Sequence, residues 1–142
     1  MTSILENLSI LQTLTEQEKD SLAIFCQERY LQKGEILFSE GDEGNAMYFL
    51  KSGKIDIYKE INGNEEKIGQ VVAEEVLGEM ALFQSQSNKR MGTAIAAENS
   101  MLIVILDFSI DELKRKHPNV IEKIKQVIEY RNSLNVKYNT QF

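Results

Sequence analysis

Gly34-Glu35-Ile36-Leu37-Phe38, Gly41-Asp42, Ala46-Met47-Tyr48-Phe49-Leu50-Lys51, Gly53 and Lys54-Ile55-Asp56-Ile57-Tyr58-Lys59-Glu60-Ile61 are the segments of residues 34–61 that decide the fold. Short apolar, β-branched and aromatic runs alternate here with glycines, the pattern of strands joined by tight turns. Ile55, Ile57 and Ile61 share one parity, as a half-buried strand requires. The β-favouring runs continue at Lys67–Val72, Thr93–Ala97 and Met101–Leu106, with glycines at 34, 41, 44, 53, 63, 69, 78 and 92. Turn signals at this spacing predict an all-β barrel or sandwich. Asn62-Gly63 marks the clearest hairpin, because both residues tolerate positive φ.

The flanks read differently. Thr15-Glu16-Gln17-Glu18 has capping-box spacing, and Leu22, Phe25 and Cys26 follow at helical spacing. This predicts a helix near 15–28, preceded by a shorter helical segment around Ile4–Leu11. After the last strand, Ser109-Ile110-Asp111-Glu112 is a second capping box, and Pro118 suits a first helical turn. Ile121, Ile124 and Ile128 make one apolar stripe beyond it; Val120, Val127 and Leu134 make a second. The expected organisation is one domain over 1–142: N-terminal helices to 29, β-barrel over 30–106, C-terminal helices over 107–142.

Composition narrows the function classes. Of 142 residues, 42% are hydrophobic and 27% charged, an ordinary globular balance. The longest apolar run, Met101–Leu106, is far too short for a bilayer helix of about 20 residues. No basic segment followed by an apolar stretch marks a secretory signal. The net charge is −6, and the densest basic cluster, Lys114-Arg115-Lys116-His117, is flanked by acids. It reads as a solvated helix end rather than a nucleic-acid surface. Cys26 is the only cysteine, so no internal disulfide forms and a reducing cytoplasm is the simplest compartment. His117 is the only histidine, which argues against a His-rich metal site or a His-based triad.

The segment that carries chemistry is Val76-Leu77-Gly78-Glu79-Met80-Ala81-Leu82-Phe83, followed by Lys89-Arg90-Met91-Gly92-Thr93-Ala94. Gly78 allows close backbone approach. A short helical turn from Glu79 would offer free N–H groups to an anion. Glu79 suits a sugar hydroxyl, and the planar fork of Arg90 suits a phosphate. An acid, an arginine and a helix start together fit a ribose carrying a phosphodiester. Each feature alone also fits an ordinary surface turn.

The two halves together resemble the cyclic nucleotide-binding domain family, the module of bacterial cyclic-AMP receptor proteins, protein kinase A regulatory subunits and cyclic-nucleotide-gated channels. The resemblance runs from about Leu14 to about Leu134. The stretch from Gly34 to Ile55 is similar to the family's first barrel motif. Gly78-Glu79-Met80-Ala81-Leu82 with Arg90 and Thr93-Ala94 is similar to its phosphate-binding cassette. The fold implied is mainly β, a double-stranded β-helix (jelly-roll) barrel with N-terminal helices and C-terminal B/C-type helices. The resemblance implies that Glu79 binds the ribose 2′-hydroxyl and Arg90 the cyclic phosphate. It further implies backbone contacts near Met80, Ala81 and Met91, with Gly78 permitting the turn. Tyr130 and Arg131 are candidates for the base only by their place on the last helix.

Three departures stand out. The segment Phe83–Lys89 is about two residues longer than usual and lacks the proline common before the arginine. Met91 stands where cyclic-GMP-selective members commonly have Thr, which tilts the expected ligand to cyclic AMP, with cyclic GMP as the alternative. Glu74-Glu75 replaces a common Gly-Asp, so the turn entering the cassette is expected to differ.

The function implied is a regulatory sensor, not an enzyme, whose cyclic nucleotide ligand repositions the C-terminal helices. No cofactor is expected. About 36 residues follow Leu106, room for two helices and no helix-turn-helix, so the expected output is a protein effector or a homodimer. A homodimer through Val120, Val127 and Leu134, and packing of that face on the chain's own barrel, are both open. The competing readings are an interaction domain that keeps the fold without the ligand, and a metal enzyme of the related barrel type. The single histidine argues against the second.

Overall fold

The computed structural model describes residues 4–6, 8–79, 82 and 89–134, the side chains at 132 and 134 excepted. Ser9–Leu11 forms one 3₁₀ turn, the realised core of the expected Ile4–Leu11 segment. Helix α1, Glu16–Ala23, opens on the expected capping box: Thr15 Oγ1 accepts the Glu18 N–H, and Glu18 Oε1 accepts the Thr15 N–H. The helix stops short of residue 28, because Gln27–Leu31 is already strand β1. That strand pairs antiparallel with the run from Ser100 to Val104, a distant partner that no local pattern announces. The β-rich segment therefore begins at Gln27, not Tyr30.

The other strands are β2 Ile36–Phe38, β3 Ala46–Ser52, β4 Lys54–Ile61, β5 Asn64–Val72, β6 Val76–Leu77, β7 Thr93–Ala96 and β8 Ser100–Leu106. They form two four-stranded antiparallel sheets, in the orders β1-β8-β3-β6 and β2-β7-β4-β5. The two sheets are separate hydrogen-bonded units rather than one closed barrel, in the jelly-roll arrangement. The β4–β5 hairpin turns on Asn62 and Gly63, both at positive φ, 53° and 83°. Ile55 and Ile57 are fully buried, but Ile61 is exposed. It keeps the parity of Ile55 and Ile57 but forms the last pair of the hairpin, with Asn64, beside the turn.

Two apolar clusters hold the fold. One lies between the sheets and includes Phe38, Tyr48, Leu50, Ile55, Ile57 and Leu102. The other lies between the opposite face of the β1-containing sheet and the helices, and includes Met47, Phe49, Ile103 and Ile105. Alternate residues of β3 and β8 thus enter different cores. This is why both read as unbroken apolar runs instead of alternating ones.

Helix α2, Asp107–Lys116, follows β8 directly. Its N-cap is Leu106, with no side-chain cap, so the Ser109–Glu112 box is not used. The Asp107 N–H instead donates to Asn45 O, continuing the β3–β8 ladder into the helix. Arg115 and Lys116 pair with Glu112, in keeping with a solvated helix end. Helix α3, Pro118–Leu134, begins on the proline as expected. Val120, Ile121, Ile124 and Ile128 are buried in the helical core, so both stripes at its start serve the chain's own packing. Lys123 pairs with Glu18 at 2.7 Å, tying α3 to α1. No helix among the described residues is long and apolar enough to cross a membrane.

Candidate functional site

Arg90 is held by backbone pairing with the first glycine-punctuated motif. Its N–H donates to Asp42 O at 2.7 Å, and its carbonyl accepts the Gly41 N–H at 2.9 Å. Glu43 and Lys89 form a β-bridge alongside. The turn that offers these groups is closed by the Asp42 N–H on Ser39 O and by the Ser39 N–H on Asp42 Oδ2. Asp42 is therefore the turn residue its position suggests. Gly41, at φ +86°, supplies the left-handed step this turn needs.

The Arg90 side chain runs inward and is 2% exposed. Nη2 donates to Ala46 O at 2.9 Å. The guanidinium carbon lies 4.3 Å from the centre of the Phe38 ring and 5.7 Å from that of Tyr48, within cation–π range of both. Its other flank rests on Gly78. A Cβ there would come 2.3 Å from Nη1 and 2.9 Å from Ala46 O, so the absence of a side chain is what admits the guanidinium. Gly78 also sits at φ +70°.

Nε and Nη1 of Arg90, both buried, have no acceptor among the described residues. A guanidinium has five N–H donors, and native proteins rarely leave buried ones unpaired. Burying a cation costs several kcal/mol, roughly the desolvation penalty of one ion. Burial accordingly pulls the Arg90 pKa below its ordinary value, opposed by Tyr48 and by the carboxylates of Asp107 and Asp42.

Glu79 follows Gly78 directly and is also buried, at 6% exposure. Burial pushes its carboxyl up to about 7, against the opposing hydrogen bond from its own backbone N–H. Near neutrality Glu79 is therefore present both as an acceptor carboxylate and as a donor acid. Its carbonyl accepts the Leu82 N–H at 3.0 Å, the bond of a single helical turn. A buried cation with spare donors and, one residue past the glycine it rests on, a buried carboxyl suit a ligand that carries an anionic group and a hydroxyl.

Of the residues singled out in the sequence, the structure brings Gly78 and Arg90 into contact, and Glu79 is buried one residue past Gly78. Met80, Ala81 and the Phe83–Asn88 segment lie outside the described residues. Met91 is half exposed, as a residue at the rim. Tyr130 is 66% exposed on α3. Arg131 is engaged elsewhere: it donates to Glu74 O at 2.7 Å and to Ser9 Oγ at 2.9 Å. Phe38 and Tyr48 are core residues, and the same rings form the wall against Arg90. Nothing local marks them for that role, since an aromatic on a strand reads as packing. Among the described residues no three His, Cys, Asp or Glu side chains are grouped to hold a metal ion. Cys26 donates its thiol to Leu22 O, and burial pushes its pKa up to about 12, so it behaves as a small apolar residue.

Comparison with known proteins gives a consistent result. The sequence model of a family described as "cyclic nucleotide-binding domain" matches residues 28–117. The fumarate and nitrate reduction regulatory protein of Yersinia pestis is 32% identical over 118 residues, 82% of this chain and 46% of the relative. The cyclic AMP receptor protein of Thermus thermophilus is 27% identical over 119 residues, 83% of this chain and 54% of the relative. The cGMP-dependent protein kinase of Plasmodium berghei is 30% identical over 130 residues, 92% of this chain and 14% of the relative. The chain thus spans about half the length of the bacterial relatives and a small part of the kinase. Among solved structures, a cyclic nucleotide-binding domain from Methylobacillus flagellatus superposes with a TM-score of 0.79 at 20% identity, covering 93% of this chain and 78% of that one. The Thermus thermophilus catabolite activator protein superposes with a TM-score of 0.73 at 25% identity, covering 89% and 59%.

Proposed function

We propose that this chain, which belongs to the cyclic nucleotide-binding domain family, is a non-enzymatic sensor that binds cyclic AMP between its two sheets and passes the event to α3. The observation that carries the reading is the pair of buried nitrogens on Arg90 that have no partner among the described residues. A cyclic phosphate supplies acceptor oxygens for these two nitrogens and brings a negative charge directly onto the guanidinium. Glu79, one residue past the glycine on which Arg90 rests, receives a ribose hydroxyl. The N–H groups near Met80, Ala81 and Met91 add phosphate contacts in this scheme. Met91 in place of a threonine hydroxyl favours adenine over guanine.

The output belongs to α2 and α3, which pack on the far face of the β1-containing sheet. A ligand shifts such helices only as far as its affinity differs between their two arrangements. We place the protein in a reducing compartment, reporting to a protein partner or to a second copy of itself.

The test is thermal unfolding without ligand and with cyclic AMP, cyclic GMP or 5′-AMP, with Arg90→Ala alongside. Ligand at a hundred times its dissociation constant stabilises the fold by about 2.7 kcal/mol, a shift of roughly 5–12 °C at this size. Arg90→Ala is expected to weaken binding by about 2–5 kcal/mol, the cost of stripping one partner from a buried charged pair. A variant that binds as tightly as the wild type refutes the phosphate role. No shift with any nucleotide at millimolar concentration favours the interaction-domain reading.

A further inference from the structure

Glu74 is one of two non-glycine residues at positive φ among the described residues, at +75°. It lies in the turn between β5 and β6, immediately ahead of Val76-Leu77-Gly78-Glu79. A residue with a side chain persists in the left-handed region only where its surroundings hold it. Here three bonds do so. The Glu74 N–H donates to Leu50 O at 2.6 Å. Glu74 Oε1 accepts the Ser9 N–H at 2.7 Å. Glu74 O accepts a hydrogen bond from Arg131 Nη1 at 2.7 Å, and Arg131 Nη2 reaches Ser9 Oγ at 2.9 Å. Residues 65 and 57 positions apart in the chain thus close one partly buried ring of hydrogen bonds. A glycine would relieve the backbone at this position but could not reach Ser9.

We infer that Arg131 is a positioning residue for the ligand cassette: through Glu74 it ties the last turns of α3, and the Ser9–Leu11 turn, to the chain that enters Gly78-Glu79. The inference rests on the proposed site and names the contact by which that site and α3 sense each other. The guanidinium fork suits the task, since it grips a backbone carbonyl and a hydroxyl from two separate elements at once. Because Glu74 O is a main-chain atom, any shift of α3 pulls on the turn itself and not on a flexible side chain. By the reciprocity of linked equilibria, a ligand that moves the cassette alters α3 as much as α3 alters ligand affinity.

The experiment is amide hydrogen exchange on the full chain, with and without cyclic AMP, for the wild type, Arg131→Gln and Arg131→Lys. Without ligand, Arg131→Gln is expected to speed exchange both at residues 74–79 and in the last two turns of α3, by roughly tenfold, as loss of a hydrogen bond from a charged donor implies. Exchange in β3 and β8 stays unchanged, which separates a lost tie from general destabilisation. Arg131→Lys keeps the charge and the apolar stem but reaches only one acceptor, so it gives an intermediate rise and carries the test if the glutamine variant does not fold. With cyclic AMP, α3 of the wild type responds together with the cassette, whereas in Arg131→Gln only the cassette responds. Unchanged exchange at residues 74–79 in both variants overturns the tie, as does an α3 response to ligand that survives Arg131→Gln in full. A wild type in which cyclic AMP alters nothing defeats the ligand assignment, while the comparison without ligand still decides the tie.

Discussion

Replacing Glu79 with glutamine turns a buried carboxyl into a neutral isostere, and the structure states what that does to stability at each pH. Burial raises the carboxyl from the ordinary glutamate value of 4.5 to about 7. Between those values the folded chain holds a proton that the unfolded chain has released. Stability therefore falls as pH rises across this window, and the full contribution is present only below about 4.5. At 1.36 kcal/mol for each tenfold change in proton affinity, the wild type without ligand loses up to about 3 kcal/mol between pH 4.5 and pH 8. The amide of the variant does not titrate, so Glu79→Gln is expected to match the wild type near pH 5 and to exceed it by up to about 3 kcal/mol at pH 8. Urea unfolding at half-unit intervals from pH 5 to pH 8, followed by circular dichroism, reads this directly. Taking the variant minus the wild type removes the contribution of every other titrating group. A difference that stays constant from pH 5 to pH 8 refutes a buried, protonation-linked Glu79. A difference that grows toward acid pH would mean that the carboxylate is stabilised as the anion, the opposite electrostatic environment.

Two further substitutions probe the same site. Arg90→Met keeps the length and apolar character of the side chain but removes a buried cation with two unpaired donors; it is expected to raise the stability of the ligand-free fold by about 1–4 kcal/mol in urea unfolding while abolishing the thermal response to cyclic AMP. An Arg90→Met protein less stable than the wild type would show that Arg90 contributes to the fold through Ala46 O, Phe38 and Tyr48. Gly78→Ala places a Cβ at φ +70° and 2.9 Å from a backbone oxygen that cannot rotate away; it is expected to destabilise the fold by about 1–3 kcal/mol by chemical unfolding and to displace the guanidinium, weakening cyclic AMP binding in calorimetry. Unchanged affinity in a folded Gly78→Ala protein would separate Gly78 from the positioning of Arg90.

Much of the architecture follows from short-range chemistry, and those elements are legible in the chain. Thr15 and Glu18 can satisfy each other's N–H groups only at a helix start, and α1 begins there. Asn62-Gly63 is one of the few dipeptides that turns a tight hairpin, and β4 and β5 meet on it. Pro118 has no N–H to lose in a first turn, and α3 starts on it. The strands between Ile36 and Leu106 are visible because their residues fit a pleated, apolar surface. The elements that are not legible are those with distant partners. Gln27 and Glu28 fall within the helix expected to residue 28, yet they open a strand because β8 offers an unpaired edge. The Ser109–Glu112 capping box has the right spacing, yet α2 starts at Asp107, because Asn45 O already satisfies the N–H there.

The candidate site divides in the same way. The residue types at the site are legible in the chain: a glycine, an acid and an arginine in an order whose chemistry fits a phosphate and a sugar hydroxyl. Their state is set by the fold. The rings of Phe38 and Tyr48, the carbonyl of Ala46 and the bare face of Gly78 arrive from separate segments of the chain to enclose Arg90. The sequence could place Arg131 no better than on the right helix, and the fold turned it toward Glu74 and Ser9. Burial, desolvation and the count of satisfied donors are properties of groups brought together from across the chain. A local pattern sets what a side chain can do, but its charge, its partners and its exposure are settled only when the sheets and helices close around it.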